Sequence, residues 1–335
     1  MKIFSQTPVR IGLIGGGTDV NPFAADFGGK VFSLAINLYH QVSLKPIKEE
    51  KIYIEALGKT IEKDLKKDLI YGKEKDFDLV YAIINYFKPL IKSGFKLKVE
   101  FQGESLGGLG SSGSAGVAMI AVFSHWLKRG LSRMEMAYLA WRMETQELKW
   151  SGGKQDQLAA AFGGINLLTF GAKESIGVIP LFFPKDLIKR IRKWMILFYI
   201  GGKRHSGKLQ KNLSAGMKEE EKIEALKGLK RGVNKMIKAW KKEDFNLIGE
   251  ILDEAWDFKK RSNPKIANSR VNDLYELAKK NGSRGGKIMG AGEGGHMFFF
   301  CPPEKQDKLE KVLRKEDVKK IDFEFDFNGL KVWEK

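Results

Sequence analysis

Ten residues, Leu106 to Ala115, hold four glycines and three serines in the order Leu-Gly-Gly-Leu-Gly-Ser-Ser-Gly-Ser-Ala. The residues after them, among them Val117, Ala118, Ile120, Ala121 and Val122, show no polar face, which predicts a central buried helix from Ser114 to about Leu127. Bare backbone that opens a helix suits an anion. Without Cβ atoms, peptide N–H groups can approach a phosphate closely, and the helix start adds partial positive charge and unpaired donors. A serine hydroxyl there can cap the helix or reach a phosphate-bound metal ion. The same run could also be a flexible turn ahead of a core helix, so the rest of the chain has to decide.

The chain has 335 residues, 43% hydrophobic and 30% charged, which fits a globular protein with one large or two medium domains. No apolar run is long enough to span a bilayer and the N-terminus does not resemble a secretory leader, so a cytoplasmic protein without membrane contact is expected. The lone Cys301 excludes an intrachain disulfide, and the four histidines form no metal-binding cluster. The formal charge is +18, and 18 Lys/Arg stand against five Asp/Glu between Lys185 and Lys242. Those basic residues alternate with apolar ones at helical spacing, as on a solvated helix face. An RNA-binding protein is the alternative from another class, but no aromatic-rich RNA-binding strand accompanies them, and nucleic acid is not the expected partner.

Short apolar runs, Val31 to Ile36 and His40 to Leu44, read as strands, and Phe95 to Phe101 alternates apolar with charged residues without a break, as a half-buried strand does. Ser132 with Glu135 three residues on predicts a capped helix start, running to near Leu148. The helical pattern lapses from Gly171 to Pro184, which places a boundary between domains 1–180 and 181–335. Beyond it, Trp194 to Ile200, Lys287 to Met289, Met297 to Cys301 and Asp322 to Phe327 read as strands, with helical spacing between. Strands and helices mix without a βαβ rhythm, so both halves are expected to be α+β.

Two familiar phosphate sites fail. Gly58-Lys59-Thr60 has Tyr53 where a P-loop needs its first glycine, and the glycine run follows about 100 residues rather than a first strand. Two further glycine-rich turns remain, Gly15-Gly16-Gly17-Thr18-Asp19 and Gly290-Ala291-Gly292-Glu293-Gly294-Gly295.

Taken in order, the segment Ser5 to Asp19, the loop Gly107 to Ala115, Gly152-Gly153-Lys154-Gln155-Asp156-Gln157 and Gly290 to Gly295 resemble the motifs of the GHMP kinases, nearly end to end. Gly-Gly-Gly-Thr-Asp, with Gly152 to Gly164, is most similar to the D-glycero-D-manno-heptose 7-phosphate kinases. The resemblance implies a ribosomal protein S5 domain 2-like N-terminal domain, a ferredoxin-like C-terminal domain, and ATP and Mg²⁺ acting on the anomeric hydroxyl of a sugar phosphate. A kinase for fucose or a hexose phosphate is the alternative within that chemistry, and a homodimer stays open.

Roles follow residue by residue from the same resemblance. Gly107, Gly108, Leu109, Gly110, Ser111, Ser112, Gly113 and Ser114, with Gly290, Ala291 and Gly292, would hold the nucleotide. Ser112 and Glu144 would hold the metal, with Glu147 one turn on as the rival acid. Asp156 would orient or deprotonate the acceptor hydroxyl, and Arg10 would stand by the transferring phosphoryl group. Asp19, with Gly16, Gly17 and Thr18, would bind sugar hydroxyls, Lys154 would hold a phosphate, and Arg204, next to Lys203, would take the sugar's own phosphate. His205 reads as a polar loop residue. Glu293 and His296 depart from the family pattern, which has a glycine and an aromatic there, and Lys30 is unusual after Gly28-Gly29.

Overall fold

A computed structural model describes residues 1–103, 107–202, 219–290, 292 and 294–335. The chain runs β1 (Ile3–Ile14), α1 (Phe23–Phe27), β2 (Gly29–Pro46), β3 (Lys51–Ala56), β4 (Lys59–Asp64), α2 (Asp78–Phe87), β5 (Phe95–Gln102), α3 (Ser111–Trp126), α4 (Arg133–Arg142), α5 (Gln155–Phe162), β6 (Ile165–Phe170) and β7 (Ile176–Pro180). It continues through α6 (Lys185–Trp194), β8 (Met195–Gly201), α7 (Glu219–Lys241), α8 (Phe245–Ser262), α9 (Ser269–Lys280), β9 (Gly285–Ile288), β10 (Gly295–Phe300), α10 (Pro303–Arg314), β11 (Lys319–Ile321) and β12 (Lys331–Glu334).

Two sheets divide these strands. The first has the order β12-β1-β2-β5-β3-β4, with β6 and β7 continuing from the other half of β2. The second has the order β11-β8-β10-β9, the ferredoxin-like arrangement, with its helices supplied by the segments between β8 and β9 and by α10. The fold is α+β, as the sequence suggests. One boundary shifts: β12 returns to pair with β1, Ile3 opposite Glu334, so residues 331–334 of the expected second domain lie in the first sheet.

The two runs read as separate strands are one, β2. Its register with β1 shifts between the pairs Tyr39–Pro8 and Ile36–Val9, a bulge at Asn37 and Leu38. A bulge changes which alternate residues face inward. Before it Phe32, Leu34 and Ile36 pack toward the second sheet; after it Val42 and Leu44 pack under the first. A single strand therefore feeds both cores. The expected late strand at Asp322 to Phe327 is a correction: the strand is Lys319–Ile321, and Phe325 makes an isolated bridge to Ile36. Alternation was misleading there because Arg192 packs over the Phe323 ring and bonds its carbonyl, which removes that carbonyl from any ladder.

Helix α3 is buried along nearly its whole length between the first sheet and α2, α4 and α5. Ser5 and Thr7 of β1 lie beneath it, donating to the carbonyls of Ala118 and Ser114 at 2.7 and 2.9 Å. These bonds fix the first half of α3 against β1. Ser132 and Glu135 form the expected capping box at α4. In α7 the apolar residues Leu226, Leu229, Val233, Met236 and Trp240 are buried while Arg231, Lys235 and Lys238 are exposed, so the basic run there is the solvated side of an amphipathic helix. Among the described residues no helix is long and apolar enough to cross a membrane.

Candidate active site

A cleft of about 1820 Å³ is lined from both sheets' territories: the Gly15–Asp19 turn, the loop before α3, the start of α5, α8 and the end of β9. Three glycine-rich turns thus meet at one cavity. Gly16 and Gly17, Gly107, Gly108 and Gly110, and Gly290 all line it.

Arg10 ties the middle turn down. Its main-chain N–H donates to the Leu109 carbonyl at 2.9 Å and its Nη1 to the Gly108 carbonyl at 2.8 Å. The other edge of the guanidinium reaches Asp156 Oδ1, from Nε and Nη2, both at 2.7 Å. The Arg10 side chain is only 6% exposed and that of Asp156 28%, so the carboxylate is held by a buried cation yet still open to the cleft. A charge-assisted fork of this kind fixes both groups in orientation. Gly110 has φ of +78°, and a Cβ there would lie 3.0 Å from the Asp156 carboxyl carbon; glycine lets the acid rest on the loop.

Directly after α4, the backbone widens into a π-helical turn, Met143–Glu147. Such turns rotate a side chain relative to a regular helix. Here Glu144 points inward and lines the cleft, while Glu147 stays at the surface and accepts from the Tyr71 hydroxyl at 2.9 Å. Glu144 Oε2 accepts from Gln157 Nε2 at 2.5 Å, and its Oε1 is buried with no hydrogen-bond partner among the described residues. Burial pushes the Glu144 carboxyl up to about 7, opposed by the Ser112 hydroxyl and reinforced by Asp156. An orphaned carboxylate oxygen beside a hydroxyl is a hard-oxygen donor pair that fits Mg²⁺, which takes few protein ligands and keeps several waters.

Asp19 is buried and saturated. It accepts from the Gly17 N–H at 3.0 Å, the Gln155 N–H at 3.2 Å and the Gln155 side-chain amide at 3.1 and 3.2 Å. Burial, then the nearby Asp156, raises its carboxyl above the ordinary range.

Several expected residues do not meet the cleft. Thr18 is fully buried, its hydroxyl donating to the Gly15 carbonyl and accepting the Lys30 N–H, so it braces the turn. Leu109 belongs to the apolar core. Ser114 turns its hydroxyl to Thr7 and His40, both beneath the loop. Gly113 packs against Asp156 and Gln157, and Gly292 against Ile266. Lys154 sits with its ammonium 3.8 Å from the Trp141 ring centre rather than over the cavity. The aromatic face and the cation attract each other through the ring quadrupole. Lys30 reaches Asn234. Arg204, Lys203, His205, Ala291 and Glu293 lie outside the described residues.

Residues assigned no binding role from the sequence also join the site. His40 hydrogen-bonds Ser111 and Ser114 through its two ring nitrogens, each at 3.1 Å, and burial pushes it down to about 3, so it is neutral. His296 Nδ1 donates to the Gly107 carbonyl at 2.5 Å, which ties the last turn to the middle one. Lys259 donates to the Gly16 carbonyl at 2.8 Å, and Lys287 lines the cleft from β9. Neither lysine stands out among so many, but Lys287 interrupts an otherwise apolar strand.

Comparison with known proteins follows the same lines. The model of the GHMP kinases N terminal domain matches residues 78–164, and that of the GHMP kinases C terminal region matches residues 236–319. A D-glycero-alpha-D-manno-heptose 7-phosphate kinase of Campylobacter jejuni is 32% identical over 337 residues, covering 99% of this chain and 98% of its own. Among solved structures, a D-glycero-D-manno-heptose 1-phosphate kinase from Bacteroides thetaiotaomicron superposes with a TM-score of 0.81 at 26% identity, covering 99% of each chain. The galactokinase of Lactococcus lactis complexed with galactose shares the fold at a TM-score of 0.79 and 18% identity, covering 98% of this chain and 95% of its own.

Proposed function

This chain belongs to the GHMP kinase family, and we propose that it transfers the terminal phosphoryl group of ATP to the anomeric hydroxyl of D-glycero-D-manno-heptose 7-phosphate, giving the 1,7-bisphosphate. The observation that carries this reading is the Arg10–Asp156 fork resting on the glycine loop at the start of α3, within one cleft. The heptose-phosphate kinases to which the chain is similar supply the acceptor class.

The ATP phosphates lie along Gly107 to Ser112, where the first amides of α3 lack intrahelical acceptors and face an anion. Ser112 and Glu144 would hold Mg²⁺, which would supply positive charge to offset that of the phosphates. Arg10 shares in that neutralisation. Asp156, aimed by Arg10, accepts a hydrogen bond from the acceptor hydroxyl and takes its proton as the new O–P bond forms and the bond to the ADP oxygen breaks. Holding the acceptor oxygen in line is the larger part of the task, since the proton leaves late and the reacting atoms must meet in one orientation. Asp19 and Gln155 form the wall against which the sugar lies. ATP as donor is consistent with a cytoplasmic reaction.

Phosphorus NMR of the purified chain with ATP, Mg²⁺ and heptose 7-phosphate tests this. The expected result is a new phosphate resonance coupled to the anomeric proton. Turnover of fucose or a free hexose, with none of any 7-phosphorylated heptose, would sink it.

A further inference from the structure

Two lysines face the cleft from elements far apart in sequence, Lys259 on α8 and Lys287 on β9. Lys259 is anchored on the Gly15–Asp19 turn by its bond to the Gly16 carbonyl, and its Nζ lies 3.0 Å from where a side chain at Gly17 would begin. The Lys287 ammonium forms no hydrogen bond or ion pair among the described residues, while its backbone pairs with Phe298. Burial, then Lys259 and Arg10, pushes it down to about 7; burial likewise lowers Lys259.

The carboxylates nearby are already committed. Asp156 is held by Arg10, and Asp19 is saturated by amides from Gly17 and Gln155. Cationic groups gathered on one side of a cleft, with the neighbouring carboxylates already bound, are costly unless an anion completes the site. The donor's phosphates have their own amides at the start of α3, whereas Lys259 is fastened to the opposite turn, where the sugar is expected. An acceptor that already carries a phosphate brings the missing anion to that end.

We propose that Lys259 and Lys287 bind the phosphate already present on the acceptor sugar, anchoring its far end beside Gly16 and Gly17 while Asp156 addresses the hydroxyl. This rests on the kinase reading above. It also assigns to described residues the role that the sequence suggested for Arg204. The site selects phosphorylated over free sugars, because a free sugar brings neither ammonium group a counter-charge.

Steady-state kinetics of the full chain with heptose 7-phosphate and with the unphosphorylated heptose tests the proposal. Lys287→Met should raise KM for the phosphorylated sugar at least about tenfold, the worth of one charge-assisted hydrogen bond, and erase the preference over the free sugar. Lys259→Met should act in the same direction, and Lys287→Arg should restore most of the preference. Calorimetric titration of each variant with a non-hydrolysable ATP analogue checks that the nucleotide site is folded, with affinity within about twofold of the parent. A rise in KM for ATP with the acceptor preference intact would assign the lysines to the donor and overturn the proposal. Equal losses with both sugars would also overturn it. If the unmodified chain turns over neither sugar, the kinase reading itself falls.

Discussion

The two ends of the cleft are built differently. The end proposed for the donor is centred on one continuous segment, a loop of glycines and a helix start, with braces from Arg10 and His40 that grip its backbone and hydroxyls and with Glu144 added from the turn after α4. The end proposed for the acceptor is assembled from the Gly15–Asp19 turn, the start of α5, α8 and β9, which meet only in the folded chain. Contiguous sites depend on local backbone geometry, whereas assembled ones depend on how domains pack. The first kind tolerates little change within the segment; the second is sensitive at distant positions.

That contrast can be broken by substitution. At the donor end, Glu144→Gln should lower kcat by about a hundredfold by weakening the metal site. The same change has an opposite effect on stability. Because burial raises the Glu144 carboxyl to about 7 from 4.5, the neutral form is favoured in the folded state, and the associated stability is intact below pH 4.5 and lost as pH rises through 7. Without nucleotide and metal, the glutamine variant should therefore be more stable than the parent at about pH 8, by roughly 3 kcal/mol in urea melts, and match it near the lower limit. An unchanged difference across that range would show that the carboxyl is not titrating.

Gly113→Ala comes next. Its Cβ would fall 2.9 Å from the Asp156 Cβ and 3.1 Å from the Gln157 backbone nitrogen, so α5 must shift and carry the acid away from Arg10. A displacement of this size should lower kcat by at least about tenfold with a smaller change in KM for ATP. If KM for ATP alone responded, the glycine would serve the nucleotide rather than the placement of Asp156.

The smallest effect is expected at Lys154, which the sequence suggests as a phosphate ligand but the structure stacks on Trp141. Lys154→Met should lower stability by about 1 kcal/mol through the lost cation–π contact while kinetic constants change less than about threefold. A large rise in acceptor KM would return this lysine to the site.

How far the sequence revealed the site follows from the same contrast. The donor loop, the helix after it, the Ser132 cap and the order of the glycine turns were legible because each is a local pattern of residue type. Glu144 and Glu147 were not separable by spacing, since a π-helical turn breaks the regular helical phase that spacing assumes. Thr18, Ser114 and Lys154 are polar residues in the right motifs whose side chains serve the scaffold, a choice made by packing. His40 and Lys259 carry no local signature, because what matters is a neighbour more than 70 residues away, as in the pairing of His40 with Ser111 or Lys259 with Gly16, and Lys287 shows only as a charge within an apolar strand. The bulge that turns β2 from one core to the other was hidden for a similar reason: Asn37 and Leu38 look like a break between strands, and only pairing with β1 shows that the strand continues.

The central claim is that Asp156, aimed by Arg10 over the glycine loop, directs the acceptor hydroxyl at the phosphoryl group. The most direct test is single-turnover transfer from ATP to heptose 7-phosphate by Asp156→Asn, alongside its affinity for an ATP analogue. The account predicts a fall of about a thousandfold in the transfer rate with nucleotide affinity nearly unchanged. Transfer within tenfold of the parent rate would contradict it.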